Sequence, residues 1–146
     1  MTCIADANVL FPLLVGGHVA HDAAQKWWDA QPDNSVGLCL LVRLAVLRLL
    51  TNRVAMNDAP IVPADALKAW QQLAADPRCF SISSEPETHE SLFTQLVRGR
   101  QPAPNLWTDA WLAALALSLE YEMATFDRGF RSFNGLNLRL LAATGG

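Results

Sequence analysis

Short apolar runs and longer segments with helical spacing follow one another along the chain. Residues 2–5 form an apolar run that predicts a strand, and a helical stretch starts near Asn8. Residues 21–30 predict an amphipathic helix, ended by Gln31-Pro32. A second strand is expected over 35–40, then a helix over 43–52 with apolar residues all along it and arginines at 43 and 48. Residues 63–75 predict a further helix, with Pro63 suited to its first turn and Asp76-Pro77 to its stop. A third strand is expected over 79–83 and a helix over 87–97, while the Pro- and Gly-bearing stretch 98–104 predicts a loop. Residues 106–120 are apolar on nearly every face and predict a buried central helix. Residues 121–126 predict a strand, and 136–141 are a candidate for the last one. Strands separated by helices cannot pair as hairpins, so the order implies an α/β fold with a parallel sheet and helices on both faces.

Composition narrows the class. A chain of 146 residues fits one domain with one core, expected to span 1–146. With 51% apolar and 17% charged residues, burial is easy and disorder is disfavoured. No apolar run is long enough to cross a membrane, and the opening MTCIADANVL has no basic segment leading into an apolar one, so neither a membrane span nor a secretory leader is expected. Cys3, Cys39 and Cys79 are odd in number and lie in apolar runs, as expected of buried thiols in a reducing cytoplasm. The net charge of −3 is awkward for binding phosphates, although the arginines gather at 43–53, 98–100 and 128–139. Charge by itself leaves a nucleic-acid partner open.

Parallel sheets carry their sites at the carboxyl ends of the strands. Asp6 directly follows the first predicted strand, Asp127 follows the strand ending at Phe126, and Asp109 lies in the first turn of the apolar helix. Each has an ordinary use, as a helix cap or a turn opener. Taken together, three carboxylates at one sheet rim would repel one another and need protons or a cation, and a hard divalent ion with oxygen ligands meets that need. His18, His21 and His89 lack zinc-ligand spacing around any cysteine; His18 and His21 are expected in a loop and on a helix surface. Asn8 would bond the Asp6 carboxylate or cap the first helix. Thr108 would orient Asp109 or a bound water, or cap the central helix.

The runs ADANVL (5–10), LWTDAWLAALAL (106–117) and MATFDRGF (123–130), with LAVLRLLTN (44–52), resemble the PIN-domain family and more narrowly its mycobacterial-type VapC toxins. The resemblance runs along nearly the whole chain. It implies a three-layer α/β/α sandwich around a central parallel sheet and a Mg²⁺- or Mn²⁺-dependent endoribonuclease cutting tRNA or rRNA. It also implies a VapB-like antitoxin partner and a homodimer. Asp6, Asp109 and Asp127 fall on three of the family's four acidic positions, with Asp6 and Asp109 as ligands and Asp127 positioning the ion or water. The fourth is a Glu in a Thr-Glu-Leu pattern followed by three residues and an Arg; here Arg48 matches that closing Arg and Arg43 stands at the Glu position. The reversed charge suits one ion rather than two. Arg43 would then contact RNA phosphate or pair with Asp6 or Asp109, and Glu85 is a candidate for the missing carboxylate.

Two rival readings follow. A catalytically weakened PIN domain would serve as an RNA- or antitoxin-binding module, with Phe11, Leu14, Trp27 and Trp28 either forming a partner groove or packing in the core. A phosphatase using Asp6 as nucleophile fits poorly, because Asn8 stands where a second Asp is wanted.

Overall fold

The structure is a computed structural model that describes residues 1–143. It orders its elements as β1 (Cys3–Ala5), α1 (Ala7–Leu14), α2 (His21–Asp29), β2 (Val36–Leu38), α3 (Leu40–Leu50), α4 (Pro63–Ala74), β3 (Cys79–Ser81), α5 (Thr88–Val97), α6 (Leu106–Leu119), β4 (Glu122–Thr125) and β5 (Leu138–Leu140). A 3-10 turn, Arg128–Ser132, lies between β4 and β5. The five strands form one sheet in the order β3-β2-β1-β4-β5, and every pairing is parallel. This is the expected α/β/α sandwich around a central parallel sheet. No helix among the described residues is long and apolar enough to cross a membrane.

The central strands β2, β1 and β4 are buried almost throughout, whereas the edge strands β3 and β5 are partly exposed. All of β1 is buried, and in β4 only Glu122 reaches solvent. Gly37 in β2 is required by close approach: a Cβ there would lie 2.7 Å from the Ile82 Cδ1 and 3.1 Å from the Phe80 ring. On one side α1 packs with α2 and α3, and α3 with α4; α5 and α6 pack on each other. In α6 the buried side chains are mainly alanines, 110, 113, 114 and 116, with Leu112 and Leu115. Small side chains let a helix lie close to its neighbours without an amphipathic stripe. Glu120 ends α6 in the left-handed conformation (φ 58°), and the next N–H, of Tyr121, donates to the Ala116 carbonyl at 2.9 Å.

Strand ends move inward by one or two residues, and two larger departures from the sequence reading concern α3 and the chain after β4. Helix α3 starts at Leu40 rather than at 43, with Cys39 as its N-cap, so Arg43 N–H already donates to the Cys39 carbonyl at 3.1 Å. The run Leu38-Cys39-Leu40-Leu41-Val42 is apolar throughout and carries no period that separates strand from helix. Second, the chain after β4 makes the 3-10 turn, which Asp127 caps by accepting from Gly129 N–H at 2.8 Å. Phe11, Trp27 and Trp28 are core residues and Leu14 packs against that core, while Phe11 also contributes to the wall of a surface groove.

Candidate active site

Strand order decides where the carboxylates meet. β1 and β4 are parallel neighbours in register Ala5↔Ala124, so the residues that follow, Asp6 and Thr125, emerge side by side. Asp6 N–H donates to the Ala124 carbonyl at 2.9 Å, and the Thr125 hydroxyl donates to Asp6 Oδ2 at 2.9 Å. The same Thr125 Oγ1 accepts from Asn8 Nδ2 at 3.1 Å and from Asp127 N–H at 3.0 Å. Asn8 Oδ1 in turn accepts from Phe126 N–H at 3.2 Å. The Asn8 side chain therefore neither caps α1 nor bonds Asp6; it holds the end of β4 against α1.

The first turn of α6 brings Asp109 to the same rim. Asp6, Asp109 and Asp127 line one cleft of about 380 Å³, with Asn8, Thr108, Leu112 and, from α3, Leu41, Leu44, Ala45 and Arg48. Burial raises the Asp6 carboxyl above its ordinary value, against the Thr125 hydrogen bond, and the Asp127 charge adds to the rise. Asp109 is pushed up to about 6, first by burial and then by the negative charges of Asp6 and Asp127. Asp127 is exposed at the cleft mouth.

The supporting residues fall in different places. The Thr108 hydroxyl donates to the Asn105 carbonyl at 3.2 Å, a bond within its own turn, although the residue lines the cleft. Arg43 is exposed, lies outside the cleft lining, and makes no ion pair among the described residues with Asp6 or Asp109. The reason is helical phase: positions 41, 44, 45 and 48 form the stripe of α3 that faces the cleft, and 43 lies off it. Glu85 lines a neighbouring apolar groove with Leu41, Leu44 and Trp107 instead of the cleft itself. His18 and His21 have local partners: His18 Nδ1 accepts from Ala20 N–H at 2.9 Å, and a ring nitrogen of His21 bonds the Pro12 carbonyl at 2.8 Å.

One residue supporting the site escaped the sequence reading, and another was read without its role. Thr125, fully buried, holds Asp6 in place. A Thr at the carboxyl end of an apolar strand, two residues before Asp127, was the available signal. Arg48 is the cation on the cleft wall, legible only as the closing residue of a pattern.

An all-oxygen donor set at a sheet rim fits a hard divalent cation, and the raised Asp109 carboxyl marks a spot where positive charge would be stabilised. Among the described residues, no group of three or more His, Cys, Asp or Glu side chains is gathered closely enough to hold an ion by itself. Asp6 and Asp109 are the cleft carboxylates that could contribute to holding such an ion.

A parallel sheet wound as β3-β2-β1-β4-β5, with aspartates from β1, β4 and α6 around one cleft, defines an acidic-cleft α/β protein. The PIN domain family matches residues 3–136, and the chain belongs to it as a VapC-type member. It is 34% identical over 143 residues to Ribonuclease VapC41 of Mycobacterium tuberculosis, covering 95% of this chain and 98% of that protein. Ribonuclease VapC29 of the same organism is 30% identical over 135 residues, covering 92% of each chain. Among solved structures, the M. tuberculosis VapC20 toxin, described as cleaving the sarcin-ricin loop, superposes with TM-score 0.66 at 19% identity, covering 94% of this chain and 99% of that one. VapBC2 of Rickettsia felis, solved on a promoter DNA fragment, superposes with TM-score 0.65 at 12% identity, covering 97% and 100%.

Proposed function

We propose that the chain acts as one domain, a Mg²⁺- or Mn²⁺-dependent endoribonuclease that is the toxin of a type II toxin–antitoxin pair. The observation that carries this reading is the cleft in which Asp6, Asp109 and Asp127 share one rim and Asp109 is pushed up to about 6 by burial and then by its acidic neighbours. The relatives named ribonucleases support the activity. In this reading Asp6 and Asp109 hold the ion and Asp127 positions it or a water. Thr125 keeps Asp6 oriented, and Thr108, on the cleft wall, would orient Asp109 or a bound water. The ion supplies Lewis-acid stabilisation of charge on the scissile phosphate.

The wider assignment follows the same relatives. A VapB-like antitoxin is supported by the VapBC complexes among the structural neighbours; the proposed RNA class is tRNA or rRNA, of which the VapC20 description, sarcin-ricin loop cleavage, supports the rRNA alternative. The place of action is the cytoplasm. A homodimer is supported by the large apolar side chains Leu40, Leu44 and Trp107, exposed along one groove beside the cleft.

A specific observation favours a second reading: position 43 carries an arginine turned away from the cleft, and the three aspartates make no closed ion cage. A weakened PIN domain would then bind RNA or antitoxin without cutting. Incubating purified protein with total RNA in Mg²⁺, in Mn²⁺ and in EDTA separates the two. Discrete fragments with either ion, none with EDTA and none from Asp109→Asn are expected. RNA bound but left intact under all three conditions would establish the binding module instead.

A further inference from the structure

The arginines of this acidic protein are not equally available. Arg53 is paired with Asp58, Arg78 with Asp76 and Arg139 with Glu122. Arg100 donates to the Ser132 hydroxyl and carbonyl at 2.8 and 2.7 Å and lies over the Phe133 ring. Arg48, Arg128 and Arg131 are exposed, and none has an ion pair or side-chain hydrogen bond among the described residues. Arg48 lines the acidic cleft. Arg128 and Arg131 line a groove of about 860 Å³ that shares Asn8 and Leu49 with the cleft and has no carboxylate on its described walls. On the cleft's other flank, the groove holding Trp107 has Glu85 and no cation in its lining.

We propose that Arg48, Arg128 and Arg131 form a one-sided phosphate track. It carries the RNA strand from the cleft over Asn8 and Leu49 into the groove beside the 3-10 turn, and not across the Trp107 face. The inference rests on the nuclease reading, since it takes the cleft as the place of the scissile phosphate. A strand with one phosphate there must lead its neighbouring phosphates away, and they are repelled by Glu85 on one flank and attracted by paired guanidinium donors on the other. The 3-10 turn that Asp127 caps sets both arginines on the wall adjoining the cleft. An acidic segment of a protein partner would suit the same charges, but the groove's continuity with the cleft favours the nucleic acid.

The test measures binding of a fluorescent, mixed-sequence single-stranded RNA to Asp109→Asn protein across a salt series, with and without Arg128→Gln/Arg131→Gln. Each lost phosphate contact should flatten the log–log salt slope by about 0.7, so on a fourfold rise in salt the double variant should lose about sevenfold less affinity than its parent. Arg98→Gln, exposed and away from the track, should leave the slope as it is, and thermal melts should show all variants folded. An unchanged slope in the double variant overturns the track while RNA cleavage by the Asp109 protein keeps the nuclease reading. No RNA binding by the parent overturns both. If poly-glutamate binding falls in the double variant while RNA binding holds, the arginines serve a protein partner and the track is refuted.

Discussion

Asp109→Asn should make the protein more stable as it removes a proposed ligand. The Asp109 carboxyl lies at about 6 in the fold against an ordinary 3.8. Because the folded-state value is the higher one, the folded protein keeps this proton more tightly. The resulting stabilisation is fully present below 3.8 and lost as the pH rises through about 6, so at neutral pH the ionised carboxylate weighs against folding. At about 1.4 kcal/mol per pH unit the full shift corresponds to about 3 kcal/mol, and partial solvent screening at this half-exposed residue reduces it to about 1–2. An uncharged asparagine should therefore raise Tm by about 3–7 °C at pH about 7.5, with the gap about halved near pH 5 and closed only below about 3.8. Scanning calorimetry of both proteins across that range isolates Asp109, because every other carboxylate is common to both. Adding Mn²⁺ at neutral pH should raise the melting point of the Asp109 protein and leave the variant nearly unmoved. Parallel stability curves at all pH values, with equal response to Mn²⁺, would refute the raised Asp109 carboxyl and its place as a ligand.

Thr125→Val should cost about 2–4 kcal/mol by urea titration, because it removes the donor to buried Asp6 and the acceptor for Asn8 and Asp127 N–H together. Thr125→Ser, which keeps the hydroxyl, should cost about 1 kcal/mol and retain cleavage; equal losses in the two variants would mean that the methyl, not the network, matters. Glu120→Gly should stabilise by about 0.5–1 kcal/mol, since a left-handed helix end disfavours a Cβ. A lower chemical midpoint in that variant would place the Glu120 side chain in a role that its exposed position does not suggest.

Sequence pattern alone determined the strand–helix alternation, the parallel sheet, and the ends of β1, β4 and α6 where Asp6, Asp127 and Asp109 stand. Those features are legible because burial imposes periods and breaks on residue type, and because a charge at the end of an apolar run is conspicuous. Tertiary structure decided the rest. The pairing of β1 with β4 set Thr125 against Asp6, a contact between residues 119 apart in the chain that no local pattern records. An apolar run without period hid the start of α3. Only its rotational phase showed that Arg48 faces the cleft and Arg43, the residue whose charge drew attention, does not. Which arginines are free likewise depended on partners far along the chain, such as Glu122 for Arg139. Local propensity acts over a turn of helix or a strand pair, whereas the site is assembled by packing across the whole sheet.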